Sequence, residues 1–147
     1  MAIRVFRVCR SIHAKLDGRG AKLVGGRWNS PGHAVVYMAQ SIALAVLENL
    51  VHMADEDFPL HYVIVEALLP EDLEIATEAD LKSRFGRHSA RVLGDKWLGA
   101  NTSAVLQVRS AVVPLEFNYL LNPAHPDFKR ISVKRARPFK FDERLFG

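Results

Sequence analysis

Cysteine is nearly missing from this chain of 147 residues, where Cys9 stands alone. One thiol excludes an internal disulfide and any thiolate-rich metal cluster. Long apolar runs are missing too. The greasiest stretch, Ile42 to Val51, is interrupted by Glu48 and Asn49 and falls well short of the roughly 20 apolar residues a membrane span takes. The first residues, Met1-Ala2-Ile3-Arg4-Val5-Phe6-Arg7, alternate apolar and charged types, which suits a strand and not the unbroken apolar core of a signal peptide. With one free thiol and no export signal, the expected compartment is the cytoplasm. Neither sign of charge dominates: 20 Lys+Arg against 16 Asp+Glu leave +4 and a pI near 9.5. That mild excess fits an anionic ligand, nucleic acid or plain solubility. Repeats, low-complexity tracts and linkers are absent. Apolar types at 49% and charged types at 24% supply an ordinary core, so disorder and a disulfide scaffold are poor readings. One domain over residues 1–147 is expected.

Along the chain, Ile3–Val8 reads as a strand and residues 14–33 as a long loop carrying most of the glycines. A short buried strand is expected over Ala34–Tyr37. Ser41 is placed to cap a helix running to about Asp55, apolar on nearly every side and therefore expected to be covered all round. His61–Leu69 is a β-branched run closed by Pro70, an interior strand. Amphipathic helices are expected over 78–85 and 88–98, divided by Gly86, and Ala104–Arg109 alternates as another strand. Asn118–His125 has Asn-Pro and His-Pro turn chemistry, while Ile131–Phe141 alternates until Pro138 imposes an edge or a break. Too few βαβ units follow one another for a doubly wound sheet, so the expectation is a compact mixed α/β (α+β) domain.

Metal and triad chemistry find little support in the spacing. The histidines at 13, 33, 52, 61, 88 and 125 form neither H-x-H nor H-E-x-x-H, and no G-x-S-x-G elbow is present. The glycine-rich segment Gly25-Gly26-Arg27-Trp28-Asn29-Ser30-Pro31-Gly32 fits neither the Walker A spacing nor the dinucleotide fingerprint. Paired glycines still let backbone approach a ligand, and Arg27 offers a planar charged fork for phosphate or carboxylate. A tight turn with a solvated arginine and a packed Trp28 explains the same residues. Glu48 sits in an apolar helix, so it needs a cation, a hydrogen-bond network or a functional pocket. A structural ion pair with a nearby arginine accounts for it equally well, and the two readings merge if that partner also serves a substrate. Tyr37 ends the strand after the arginine loop and supplies an aromatic face with a hydroxyl, or is merely a core-edge tyrosine. Ser110 shares an alternation face with Leu106 and Val108, either as a satisfied buried hydroxyl or as a site donor. Glu116 and Asn118 can cap a turn or reach a pocket. The basic cluster Lys129, Arg130, Lys134, Arg135, Arg137 and Lys140 is compatible with a nucleic-acid-binding or RNA-cleaving module, though a solvated strand or a protein-facing surface fits the modest charge better.

Taken in order, these segments resemble the RES-domain family, the toxin halves of bacterial Xre–RES toxin–antitoxin pairs. The matching residues are Gly18-Arg19-Gly20-Ala21, the Gly25–Gly32 segment, Val36-Tyr37, Ala43-Leu44-Ala45-Val46-Leu47-Glu48, and Ser110 before Val112-Val113-Pro114. Glu116-Phe117-Asn118-Tyr119-Leu120-Leu121-Asn122-Pro123, His125-Pro126-Asp127-Phe128 and Phe139-Lys140-Phe141-Asp142 complete them. The pattern departs at Arg109, where the family is expected to have proline.

The resemblance implies a fold similar to ADP-ribosyltransferases and an activity on NAD, the bond between nicotinamide and ribose being cleaved. Water, inorganic phosphate or a protein group then takes the ADP-ribosyl unit. It places the family's arginine, glutamate and serine at Arg27, Glu48 and Ser110. Arg27 would hold the phosphates, Tyr37 would stack on the nicotinamide ring or orient the ribose, and Glu48 would stabilise an oxocarbenium-like transition state. Ser110, with Asn118 as a further candidate, would hold the amide or a ribose oxygen, and Arg19 would be another phosphate contact. NAD enters as substrate, and no metal is required. The implied partner is an Xre-type antitoxin, through which any DNA contact would be made. Transfer of ADP-ribose onto a specific protein is the alternative chemistry, and an interaction domain without turnover is a further one. A homodimer is left open.

Overall fold

The computed structural model describes residues 1–53 and 58–147. Among the described residues, eight strands form a single sheet: β1 (Ile3–Arg10), β2 (Val36–Ala39), β3 (Tyr62–Leu69), β4 (Ile75–Thr77), β5 (Val105–Arg109), β6 (Phe117–Leu121), β7 (Ser132–Val133) and β8 (Arg137–Phe139). Their order is β4-β5-β6-β2-β1-β3-β7, with β8 also paired to β3. Neighbours are antiparallel except β4 and β5, which run parallel around the crossover made by α3 (Glu78–Phe85) and α4 (Ala90–Ala100). Two further helices, α1 (Arg19–Val24) and α2 (Ile42–His52), precede and follow β2. The mixed α/β class expected from the sequence is the one observed.

Alternation along the strands divides the core into layers. Val5, Cys9, Val36, Met38, Val65, Tyr119 and Leu121 face one way, under Leu16, Leu73 and Ile131. The opposite face carries two separate clusters. Phe6, Val8 and Ala39 pack with Leu44 and Ala45 of α2 and with Phe141. Leu106, Val108 and Leu120 pack with Leu81 of α3, Leu93 and Trp97 of α4, and Trp28. The seam between these clusters falls on β6: Asn118 is in register with Ala39 on one side and Val108 on the other.

Several expectations are corrected. Residues 14–33 are not all loop, because α1 lies within them; Gly18 and Gly25, both at positive φ, bracket six residues too few to show a period. The short strand is Val36–Ala39 and not Ala34–Tyr37. Ser41 does cap α2, its Oγ accepting from the Leu44 amide at 3.1 Å, but the helix ends at His52, and Asp55 lies outside the described residues. Nor is α2 covered all round. Leu44 and Ala45 are buried, whereas Leu47 and Val51 face outward. Asn49 points inward, and its Nδ2 donates to the Val8 carbonyl at 2.7 Å, pinning the helix on β1. Phe117–Leu121 forms β6, so the turn chemistry starts only at Asn122; cross-strand pairing on both sides outweighs the polarity of Asn118. Of the two readings of Pro138, the edge is the one observed: Pro138 lies in β8, which pairs with β3 alone, and the chain's break falls earlier, over 134–136. The second amphipathic helix starts at Ala90, capped by Ser89. Strand β4 had no signal in the alternation.

Candidate active site

Glu48 reaches the seam because α2 lies on β1 and β2 with residues 44, 45, 48 and 49 turned to the sheet, one helical stripe. Its Oε1 accepts two hydrogen bonds, from Ser110 Oγ at 2.7 Å and from Asn118 Nδ2 at 2.9 Å. Of the two readings of Glu48, the hydrogen-bond network is observed and the arginine pair is not found among the described residues. Both donors are neutral, so they fix the carboxylate without cancelling its charge. Ser110 follows β5 directly and is 2% exposed. Its Oγ also accepts from the amides of Val112 and Val113, at 3.1 and 3.0 Å, and its own amide donates to the Glu116 carbonyl. The hydroxyl is thereby held in one orientation, its O–H directed at Glu48 Oε1. Asn118 Oδ1 is sealed from solvent and has no partner among the described residues. Leaving such an acceptor unpaired costs about 1–3 kcal/mol, a cost that sites tolerate more often than cores do.

Ser110 also lines a cleft of about 450 Å³ with Arg27, Trp28, Glu78, Lys82, His88 and Arg109. Arg27 is exposed at the tip of a hairpin closed by the Gly26–Asn29 bridge. Three permanently or normally cationic side chains, Arg27, Lys82 and Arg109, meet one carboxylate, Glu78, whose Oε1 accepts from the Arg109 amide at 2.9 Å. The cleft thus favours an anionic ligand. A larger hollow of about 600 Å³, bounded by Arg10, His52, Phe58 and His61, contains none of the sequence-derived candidates. The smaller cleft is the candidate site because Arg27 and Ser110 both line it and Ser110 is hydrogen-bonded to Glu48.

The Tyr37 hydroxyl is engaged within the arginine hairpin. Its hydroxyl donates to Asn29 Oδ1 at 2.6 Å and accepts from the Trp28 amide at 3.0 Å. Burial pushes the phenol up to about 12. Asn29 passes the restraint on, its Nδ2 donating to the carbonyls of Ala21 and His33 at 2.9 and 3.0 Å. Tyr37 therefore braces the arginine hairpin. Arg19 begins α1, its amide on Asp17 Oδ1, and is not among the residues lining the cleft.

The structure brings Arg27 to Ser110 across the cleft, and Glu48 to Ser110 and Asn118 through hydrogen bonds. Lys82, Glu78, His88 and Arg109 line the cleft but were not read from the sequence as site residues. Glu78 and Lys82, four apart on an amphipathic helix, gave a faint signal as two charges on one face. The backbone of Arg109 gave none. No group of three or more potential metal ligands occurs among the described residues, and no described helix is long and apolar enough to cross a membrane.

Comparison with known proteins bears on the family and the fold. The family described as RES domain matches residues 4–142. The chain is 41% identical over 138 residues to the Prs ADP-ribosylating toxin of Sphingobium sp., spanning 88% of this chain and 86% of that protein. It is 36% identical over 149 residues to Toxin Res of Photorhabdus laumondii, spanning 96% of each. A chain in the crystal structure of the M. tuberculosis MbcT–MbcA toxin–antitoxin complex is similar with a TM-score of 0.68 over 99% of this chain and 87% of that one. At 14% identity, that likeness is one of fold alone.

Proposed function

This chain belongs to the RES domain family, and on that premise we propose that it is a toxin of toxin–antitoxin type that consumes NAD. The cationic cleft takes the dinucleotide, with Arg27 on its phosphates and Lys82 or Arg109 within reach of the remaining anionic charge. The carbon–nitrogen bond between ribose and nicotinamide breaks, and its electron pair leaves with the ring, neutralising the pyridinium. The ribose carbon passes through an oxocarbenium-like state and accepts water, phosphate or a protein nucleophile.

The observation that carries this reading is Glu48, a carboxylate gripped through one oxygen by two neutral donors beside a cationic cleft. Its field stays available to a developing positive charge, and the grip removes the reorganisation that a free carboxylate would need. Tyr37 acts through the hairpin that presents Arg27, and Arg19 is a peripheral phosphate contact at most. The partner is an antitoxin protein of Xre type, the compartment is the cytoplasm, and neither a metal nor direct DNA binding is required.

Protein ADP-ribosylation is the second reading, favoured by the Sphingobium relative, whose name describes ADP-ribosylation of Prs. Purified protein incubated with NAD labelled in its adenylate half separates the two. Release of nicotinamide with small labelled products, at two phosphate concentrations, supports cleavage to water or phosphate. Label retained on a protein band supports transfer. Release no greater than that of Glu48→Gln and Arg27→Ala variants refutes both.

A further inference from the structure

The backbone on either side of Arg27 is held by one face of α4. At the near end, the Arg91 guanidinium donates twice to the Gly26 carbonyl, from Nη2 at 3.2 Å and Nε at 3.3 Å. At the far end, Asp95 takes Ser30 with both oxygens, Oδ1 accepting from its amide at 2.8 Å and Oδ2 from its hydroxyl at 2.5 Å. Between them, Gly94 lets the helix meet the backbone of Trp28 directly: a Cβ there would stand 1.7 Å from the Trp28 carbonyl oxygen. Residues 91, 94 and 95 share one helical face, so a single rigid element fixes positions 26, 28 and 30.

From this geometry we infer that Arg91 and Asp95 are positioning residues for Arg27. Arg27 itself is exposed, and its side chain makes no hydrogen bond or ion pair with any described residue. A free guanidinium on a braced hairpin is pre-organised for an anion: the backbone entropy of presenting it is lost on folding and not on binding. The two tethers are a matched set. A cation takes the Gly26 carbonyl, which within the hairpin has only a long 3.5 Å bond from the Asn29 amide, and an anion takes the Ser30 amide and hydroxyl. Releasing either lets the tip swing and weakens the grip on substrate, while Glu48, held by α2, β6 and the Ser110 turn, stays where it is. The inference rests on the reading of Arg27 as the residue that holds the phosphates of NAD.

Its test has two arms on the full chain. In native-state hydrogen exchange, Arg91→Ala and Asp95→Ala should each speed exchange of the Trp28 and Ser30 amides about tenfold, with β1 and β3 amides unchanged. In steady-state nicotinamide release, the same variants should raise KM about tenfold and leave kcat within about threefold, with partial recovery of KM in Arg91→Lys and Asp95→Asn. Unchanged exchange at 28 and 30 overturns the proposal whatever the activity. A fall in kcat with KM constant also overturns it, because α4 would then be acting on chemistry and not on the arginine hairpin. Accelerated exchange in a wild-type background that releases no nicotinamide upholds the tethering and refutes the proposed function instead.

Discussion

Replacing Gly94 by alanine puts a methyl group where α4 touches the backbone of Trp28. The three nearest atoms belong to that residue's main chain: carbonyl oxygen at 1.7 Å, carbonyl carbon at 2.7 Å and Cα at 3.1 Å. None can rotate out of the way as a side chain would, so helix and hairpin must separate by roughly 2 Å to restore ordinary contact. Overpacking of this kind costs about 1–3 kcal/mol. The separation also stretches the tethers from Arg91 and Asp95, and losing one charge-assisted bond adds about 1.5–3 kcal/mol. Against this, alanine gains about 1 kcal/mol of helix propensity over glycine. The net expectation is a loss of about 1.5–5 kcal/mol, or a melting temperature lower by about 3–20 °C for a chain of this size. Gly99→Ala is the internal control, since Gly99 lies on the same helix and nothing stands within 4 Å of its added Cβ. It should gain up to about 1 kcal/mol. Urea melts followed by tryptophan fluorescence report on the right region, as Trp28 and Trp97 share one cluster. A Gly94→Ala protein as stable as the wild type would refute the direct backbone packing of α4 on the hairpin. A Gly99→Ala protein destabilised equally would place the fault in the helix and not in the contact.

Two ionisations carry further expectations. Tyr37, held at about 12 by burial, keeps its proton in the folded protein after an unfolded chain has lost it near the ordinary value of 10.0. Its contribution is therefore complete below about pH 10 and disappears as pH rises toward 12, and a Tyr37→Phe difference absorbance titration should place the ionisation near the upper value. Glu66, buried at the sheet, accepts two hydrogen bonds from Arg4, at 3.0 and 3.1 Å, and lies 2.9 Å from Lys134 Nζ, which together hold it at about 2 against an ordinary 4.5. Its contribution is complete above the ordinary value and is lost as pH falls from 4.5 toward 2, so urea midpoints should decline over that range in the wild type and decline less in Glu66→Gln.

The same carboxylate accounts for part of the C-terminal basic cluster. Arg137 lies 3.8 Å from Glu66 and Lys134 lies 2.9 Å from it, so two of the six cations balance a buried charge in their own fold. This leaves less of the cluster for a nucleic-acid surface, as the modest net charge already implied. Arg109 is similarly explained by its surroundings. Its Nη1 donates to the Pro114 carbonyl at 2.9 Å and its amide meets Glu78, bonds that tie down the Ser110 turn without the expected proline.

Strands β1 and β5 were legible because their residue types alternate along the chain, β3 because a β-branched apolar run closed by Pro70 suits a strand buried on both faces, and helices α3 and α4 because their apolar residues recur at helical spacing. Short elements were not. A six-residue helix between glycines and a three-residue strand present no period, and pairing alone decides them. Polarity misled at Asn118, read as turn chemistry, because the strand neighbours that force it into the sheet are Ala39 and Val108, far away in the chain.

By itself, the sequence determined that the fold is mixed α/β, that Glu48 sits in a helix with no polar surroundings of its own, and that Arg27 lies in a glycine-rich turn. Local preferences suffice for that much, since each depends on residues within a turn or two. What each group faces was decided by tertiary structure. The hydrogen bonds on Glu48 come from residues 62 and 70 positions away, and those on the arginine hairpin from α4 come from 65. Partners at such separations meet only after the sheet has set strand order and register, and no local signal encodes them. The lone polar patch of an apolar helix was visible from the start; that two neutral donors hold it, and no arginine, was not.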